Sequence, residues 1–186
     1  MARTFADGAD ALYHGTIRTF AERIVKDGID VHINDGAELD FGNGFYFSDK
    51  VTASRLARLK AKEREEVGSP GEDRSPVVIK LNVDIKSLRQ LRCVLFTRKD
   101  FKWFEFVFNM RCYRKEHGYD YIEGPMADGA IDSVMKQYRR RPGAILKFIV
   151  WLNYMGVTGL GHIQYVVKTD AAIDCVRILD VEEVRI

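Results

Sequence analysis

Three short segments of this 186-residue chain carry side chains suited to holding a ligand through hydrogen bonds and ring stacking. In Leu12-Tyr13-His14-Gly15-Thr16, an imidazole at a strand end can bond a hydroxyl, and the glycine after it lets a ligand approach the backbone closely. In Phe41-Gly42-Asn43-Gly44-Phe45-Tyr46-Phe47-Ser48, the glycine pair permits a tight turn before Tyr46, whose ring offers an aromatic face and a polar tip. In Ile163-Gln164-Tyr165-Val166-Val167, the Gln164 amide can give or accept hydrogen bonds but has no charge and cannot act as a base. A carboxylate is offered separately by Asp128, in the turn Gly124-Pro125-Met126-Ala127-Asp128-Gly129. Each has a plainer use as well: a buried hairpin tyrosine, an edge-strand glutamine, an Asx turn at Asp128.

The elements that must position these residues follow from pattern. Ala11 to His14 reads as a strand, followed by a helix over about Thr19 to Lys26 that Gly28 stops. A polar loop over 34–43 runs into the strand Phe45-Tyr46-Phe47. Ser48 or Asp49 then caps a helix carrying Val51, Leu56 and Leu59 and alternating charges to Glu66. Gly68 to Pro76 reads as a mobile surface loop, and the β-branched run Val77 to Val83 as a strand. Asp100 to His117 reads as a helix whose Trp103, Phe106, Val107 and Met110 recur at helical spacing, which is a core-facing pattern. Tyr119 to Ile122 is a further strand. A helix, the basic triplet Arg139-Arg140-Arg141 and a helix over Ile145 to Met155 follow, with Ile163 to Lys168 and Val176 to Ile186 as closing strands. Strands and helices do not alternate as regular βαβ units, so the pattern predicts an α+β fold in a single domain over 1–186.

Composition narrows the class. With 46% hydrophobic and 30% charged residues the chain reads as globular, and a net charge of +2 gives no argument for bulk nucleic-acid binding. The start has no signal-like apolar run, and the stretch Ile145 to Val157 is interrupted and too short to span a bilayer. Cys93, Cys112 and Cys175 are odd in number and far apart, which fits buried apolar thiols in a reducing compartment better than a metal cluster or a disulfide framework. A cytoplasmic home is expected, although a secreted or injected effector has the same features.

Together the three segments resemble the signature of ADP-ribosyltransferases of the diphtheria-toxin and poly(ADP-ribose) polymerase type. In that group a His, a Tyr and usually a Glu from three strands gather around the nicotinamide riboside half of NAD. Thr16 completes a His-Gly-Ser/Thr motif. Residues Phe41 to Ser54 are similar, almost position by position, to the segment whose Tyr stacks on nicotinamide, with Ser54 at the place of a serine that donates to the carboxamide. Ala57 stands where polymerases carry a second stacking aromatic. Gln164 occupies the Glu position of the family's Asn-Glu-Tyr-Ile-Val-Tyr strand. The Asp-Phe-Gly-x-Gly-Phe-Tyr pattern at Asp40 to Tyr46, the Trp103 to Arg111 helix and the Gly-Pro-x-Ala-Asp turn are similar to a bacterial branch of the superfamily.

The resemblance implies a split antiparallel β-sandwich flanked by helices, with NAD as substrate in the cleft and no metal. It puts His14, Gly15, Thr16, Phe45, Tyr46 and Ser54 at the dinucleotide, and Gln164, Tyr46, His14 and Asp128 at the reacting bond. Arg111 is a candidate for a phosphate or for a structural pair. The implied activity is a toxin-like mono-ADP-ribosyltransferase, a pentosyltransferase slowed by Gln164. Losing one preorganised electrostatic contact costs about 3 kcal/mol, roughly 100-fold in rate. A NAD glycohydrolase and an inactive NAD- or ADP-ribose-binding module are the alternatives. The acceptor is expected to be a protein rather than nucleic acid or a small molecule. No membrane partner is expected, and an antitoxin or a larger parent protein is compatible with the chain.

Overall fold

The computed structural model describes residues 11–33, 39–127, 135 and 162–185. Asp128, the Arg139 to Arg141 triplet and the expected helix over Ile145 to Met155 lie outside the described residues. Within them the chain forms β1 (Leu12–Ile17), α1 (Arg18–Asp27), β2 (Phe45–Ser48), α2 (Lys50–Val67), β3 (Pro76–Val83) and α3 (Ile85–Leu88). There follow β4 (Cys93–Leu95), α4 (Phe101–Tyr113), β5 (Tyr121–Pro125), β6 (Ile163–Val167), α5 (Asp170–Ile173) and β7 (Val176–Glu183).

The strands hydrogen-bond in the order β4-β5-β6-β2-β1-β3-β7, antiparallel throughout except for the parallel pair β4–β5. This is an α+β arrangement, as the irregular succession of elements predicts. One junction is much weaker than the others. β1 pairs with β3 along its whole length, but with β2 only at Tyr13↔Ser48. The sheet therefore has two halves, β4-β5-β6-β2 and β1-β3-β7, joined at a single register pair.

Alternation along the strands sends side chains to opposite faces. Leu12, Phe45, Phe47, Ile79, Leu81, Tyr121, Tyr165 and Val167 form a core on one face with Ala21 of α1. On the other face, Ile122 and Val166 meet Trp103, Phe104, Val107 and Phe108 of α4. Beside them, Val78 meets Ala53 and Ala57 of α2. The aromatic stripe of α4 is thus core packing, and the Trp103 Nε1 donates to the Pro125 carbonyl at 2.9 Å.

The two long helices α2 and α4 start on side-chain caps. Asp49 caps α2, accepting from the Thr52 N–H at 2.9 Å, and Asp100 caps α4 through the Trp103 N–H at 3.0 Å. Gly28 ends α1, its N–H bonding the Ile24 carbonyl. Strand β1 runs on to Ile17 rather than ending at His14, and two further boundaries and one loop also differ from expectation. Helix α4 ends at Tyr113 rather than His117, because Arg114 turns left-handed at φ 48° and closes the last turn through its N–H. Strand β5 starts later and runs through Gly124 and Pro125, which are paired with Gln164 and Ile163 rather than turning. The loop after α2 is anchored: the nearly buried Glu72 carboxylate takes two bonds from Arg64, at 2.8 and 3.0 Å. None of the three cysteines forms a disulfide, and all are half-buried.

Candidate functional site

The three motif segments fall on three successive strands of the sheet, β1, β2 and β6. His14 lies on β1, Tyr46 on β2 and Gln164 on β6, where Gln164 pairs in register with Ser48. The weak β1–β2 junction runs between the first two. A side-chain hydrogen bond crosses it, with the His14 Nδ1 2.6 Å from the Tyr46 carbonyl oxygen. A carbonyl only accepts, so Nδ1 carries the proton. Burial, the largest influence, holds the imidazole below its usual pKa, the bond to Tyr46 works against this, and the Lys60 charge adds to the lowering. The neutral ring therefore presents Nε2 as an acceptor. Its face stacks on Phe45, with ring centroids 4.4 Å apart.

Tyr46 and Gln164 are on the same face of the sheet, whereas alternation sends the His14 ring to the face of Phe45 and Phe47. Tyr46 is not a free handle. Its hydroxyl donates to the Gly42 carbonyl at 2.6 Å and accepts from the Phe41 N–H at 3.1 Å, which folds the ring back onto the preceding turn. Burial, with the Asp40 charge behind it, pushes the phenol well above its ordinary pKa. The turn needs Gly42, whose φ of 75° suits no L side chain well.

Gln164 is buried at 5% exposure, with Nε2 donating to the Asp40 Oδ2 at 2.6 Å. Asp40, also buried, takes three further bonds. Ala127 N–H reaches the same oxygen at 2.7 Å, and the Arg111 Nε reaches Oδ1 at 2.7 Å with Nη2 alongside. Arg111 is thereby engaged with a carboxylate, the structural alternative for it. A second cation braces the same turn: Lys168 donates through Nζ to the Phe41 carbonyl at 3.1 Å and to the Asn43 carbonyl. Burial lowers its amine to about 8. His117 Nε2 also bonds the Phe41 carbonyl, at 3.2 Å.

Gly15 is occupied from one side. A Cβ there would lie 1.9 Å from the Ala53 carbonyl oxygen and 3.0 Å from the Ala57 nitrogen, so the glycine is what lets α2 rest on β1. Ala57 is fully buried under that contact, which leaves no volume for a larger side chain there. Ser54, one position past Ala53, is half-buried on α2; Thr16 and Phe45 are buried in their strands. His162 bonds the buried Thr52 hydroxyl at 2.8 Å while that hydroxyl donates to Asp49 at 2.6 Å, so it ties the start of β6 to the start of α2.

Asp40, Lys168 and His117 were not singled out by sequence pattern for these contacts. The available signal was Asp40 at the head of the Asp-Phe-Gly-x-Gly-Phe-Tyr pattern. Among the described residues no group of three His, Cys, Asp or Glu side chains is placed to hold a metal ion, and no helix is long and apolar enough to cross a membrane.

One sequence family spans most of the chain. A family described as "protein of unknown function (DUF3990)" matches residues 11–178, and the chain belongs to it. No curated protein matches the chain.

Proposed function

We propose that the chain is a NAD-dependent mono-ADP-ribosyltransferase with NAD held across the β1–β2 junction. The observation that carries the reading is the placement of His14, Tyr46 and Gln164 on three successive strands, around the one point where the sheet is joined by a single register pair. In an ADP-ribosyltransferase-like split β-sandwich, such a junction is where the two halves part and the dinucleotide sits. The His14 Nε2 is an acceptor, and acceptors are what ribose hydroxyls need. Main-chain groups of β1 and β2 beyond Tyr13↔Ser48 are not paired with each other, which leaves edges for a carboxamide.

Breaking the nicotinamide bond generates a cationic ribose, and the site must stabilise that charge. Gln164 offers an amide dipole in place of a full negative charge, which fits a slow enzyme. That same neutrality supports a second reading, a binding module for NAD or ADP-ribose.

The test is a thermal-shift and nicotinamide-release assay with NAD, on the wild type and Tyr46→Ala, with circular dichroism to check that the variant is folded. Ligand at 100 times its Kd adds about 2.7 kcal/mol of stability. A Tyr46-dependent shift with nicotinamide release is expected, and labelled NAD then separates transfer to an acceptor from hydrolysis. A shift without release selects the binding module. If the wild type shows neither, both readings fall.

A further inference from the structure

We propose that Asp40 is a positioning residue that holds the Gln164 carboxamide in one of its two flip states, nitrogen inward, so that Oε1 is the atom offered to the ligand. The proposal rests on the ADP-ribosyltransferase reading of the site and adds a reason for the glutamine. Asp40 is 4% exposed, and every group the structure places on its two oxygens is a donor: Arg111 Nε and Nη2, the Ala127 N–H and Gln164 Nε2. A carboxylate ringed in this way demands a donor from residue 164.

An amide meets that demand and still has an acceptor left. Among the described residues no donor engages Gln164 Oε1. The oxygen is the negative end of the amide dipole, and the ribose carbon becomes electropositive as the nicotinamide bond breaks. With the amide reversed, the positive end would face that carbon. Asp40 therefore fixes the sign of the charge that Gln164 presents. A glutamate at this position would set its own oxygen where the Gln164 Nε2 now lies, 2.6 Å from the Asp40 Oδ2. Like charges at that distance disfavour both being ionised. Residue 164 is matched to Asp40, and the amide is a working part of the site.

Four proteins decide it: wild type, Asp40→Asn, Gln164→Glu and the double variant, compared in melting temperature without ligand and in kcat and KM for nicotinamide release from NAD. The amide introduced by Asp40→Asn can donate to an acceptor, which lets Gln164 reverse. The kcat of this variant is expected to fall about 100-fold, with KM within about threefold because the lost contact belongs to the transition state. Gln164→Glu is expected to melt lower than wild type. The double variant is expected to melt above Gln164→Glu and to recover turnover, since the introduced amide can donate to the introduced carboxylate, although the Ala127 N–H then loses the oxygen it bonds in the wild type. A Gln164→Glu protein that melts like the wild type overturns the proposal, as does Asp40→Asn with undiminished kcat.

If Asp40→Asn does not fold, side-chain amide exchange in the wild type is the second measurement. Slow exchange of a Gln164 Nε2 proton supports the pairing, and fast exchange of both overturns it. A wild type that releases no nicotinamide overturns the positioning role together with the enzymatic reading. Recovered melting in the double variant alone would then leave Asp40–Gln164 as a structural pair.

Discussion

Replacing Gly15 with alanine would place a methyl carbon 1.9 Å from the Ala53 carbonyl oxygen, 2.8 Å from its carbonyl carbon and 3.0 Å from the Ala57 nitrogen. All three neighbours are backbone, so no side chain can rotate aside. To restore an ordinary contact, α2 has to retreat from β1 by more than an ångström. The helix is not free to do so: Ala53 and Ala57 are fully buried against Val78, and the buried Thr52 is bonded to His162 at the start of β6. Overpacking in a filled core costs about 1–3 kcal/mol, and the rigidity of the obstacle places Gly15→Ala at about 3. A chain of this size loses roughly 2–4 °C of melting temperature per kcal/mol, hence about 6–12 °C. The assay is thermal unfolding followed by circular dichroism, with Gly118→Ala as control, since the nearest atom to a Cβ there is the Arg92 Nη1 at 3.4 Å. The control is expected to melt like the wild type. If Gly15→Ala does too, the packing argument is refuted. A wild-type melting point with lost NAD binding would instead mean that the glycine serves the ligand.

Arg111→Met leaves the buried Asp40 without its cation, and breaking a buried pair from one side costs about 3–5 kcal/mol; urea unfolding measures it, and a loss under about 1 kcal/mol would show that the pair is dispensable. Tyr46→Phe strips the Phe41 N–H and the Gly42 carbonyl of their partner, at a cost of about 1–3 kcal/mol by the same assay; an unchanged midpoint would mean that water replaces the hydroxyl. Lys168 titrates at about 8 when folded, below the usual 10.5, so between those values the unfolded chain holds more protons than the folded one. Stability must then rise with pH across that window, and the penalty of the buried charge is complete below it. Lys168→Met is expected to remove this rise in urea unfolding between about pH 8 and 10; a difference between variant and wild type that is flat with pH would refute the lowered amine.

What was legible in the sequence had a local cause. The Asp49 cap, the Gly28 stop and the β-branched run of β3 each act within a few residues, and the α4 stripe shows its buried face through spacing alone. What was not legible depends on distant partners. β4 has three residues and exists because β5 and the Phe96 N–H, bonded to the Glu123 carbonyl, complete its ladder. α3 and α5 have four residues each, too few for periodicity to show. At the site, His14, Tyr46 and Gln164 stood out because their neighbours form recognisable motifs. The Asp40–Gln164 bond joins residues 124 positions apart, and nothing near either residue announces it. Gly15 read as room for a ligand, and the structure adds a helix resting on that same glycine.

The turn over 40–43 gives the site a property that no single motif residue has. Asp40 holds Gln164 of β6 and Arg111 of α4; the Phe41 N–H and the Gly42 carbonyl hold the Tyr46 hydroxyl of β2; and the Phe41 and Asn43 carbonyls hold Lys168 just beyond β6. Four consecutive residues thus join two of the three motif strands to the helix that covers them. Groups that share one network do not contribute independently, and coupling between them runs to about 0.5–3 kcal/mol. Losing the Tyr46 hydroxyl frees the turn and with it the Asp40 that orients Gln164, so part of any Gln164 defect is already present in a Tyr46 variant. His14 stands outside this network, since its contacts are to the Tyr46 carbonyl and the Phe45 ring. In urea unfolding, substitutions at Tyr46 and Gln164 should therefore combine to less than the sum of their separate effects, whereas a Gln164 substitution, which shares no hydrogen-bond partner with His14, should add fully to His14→Ala.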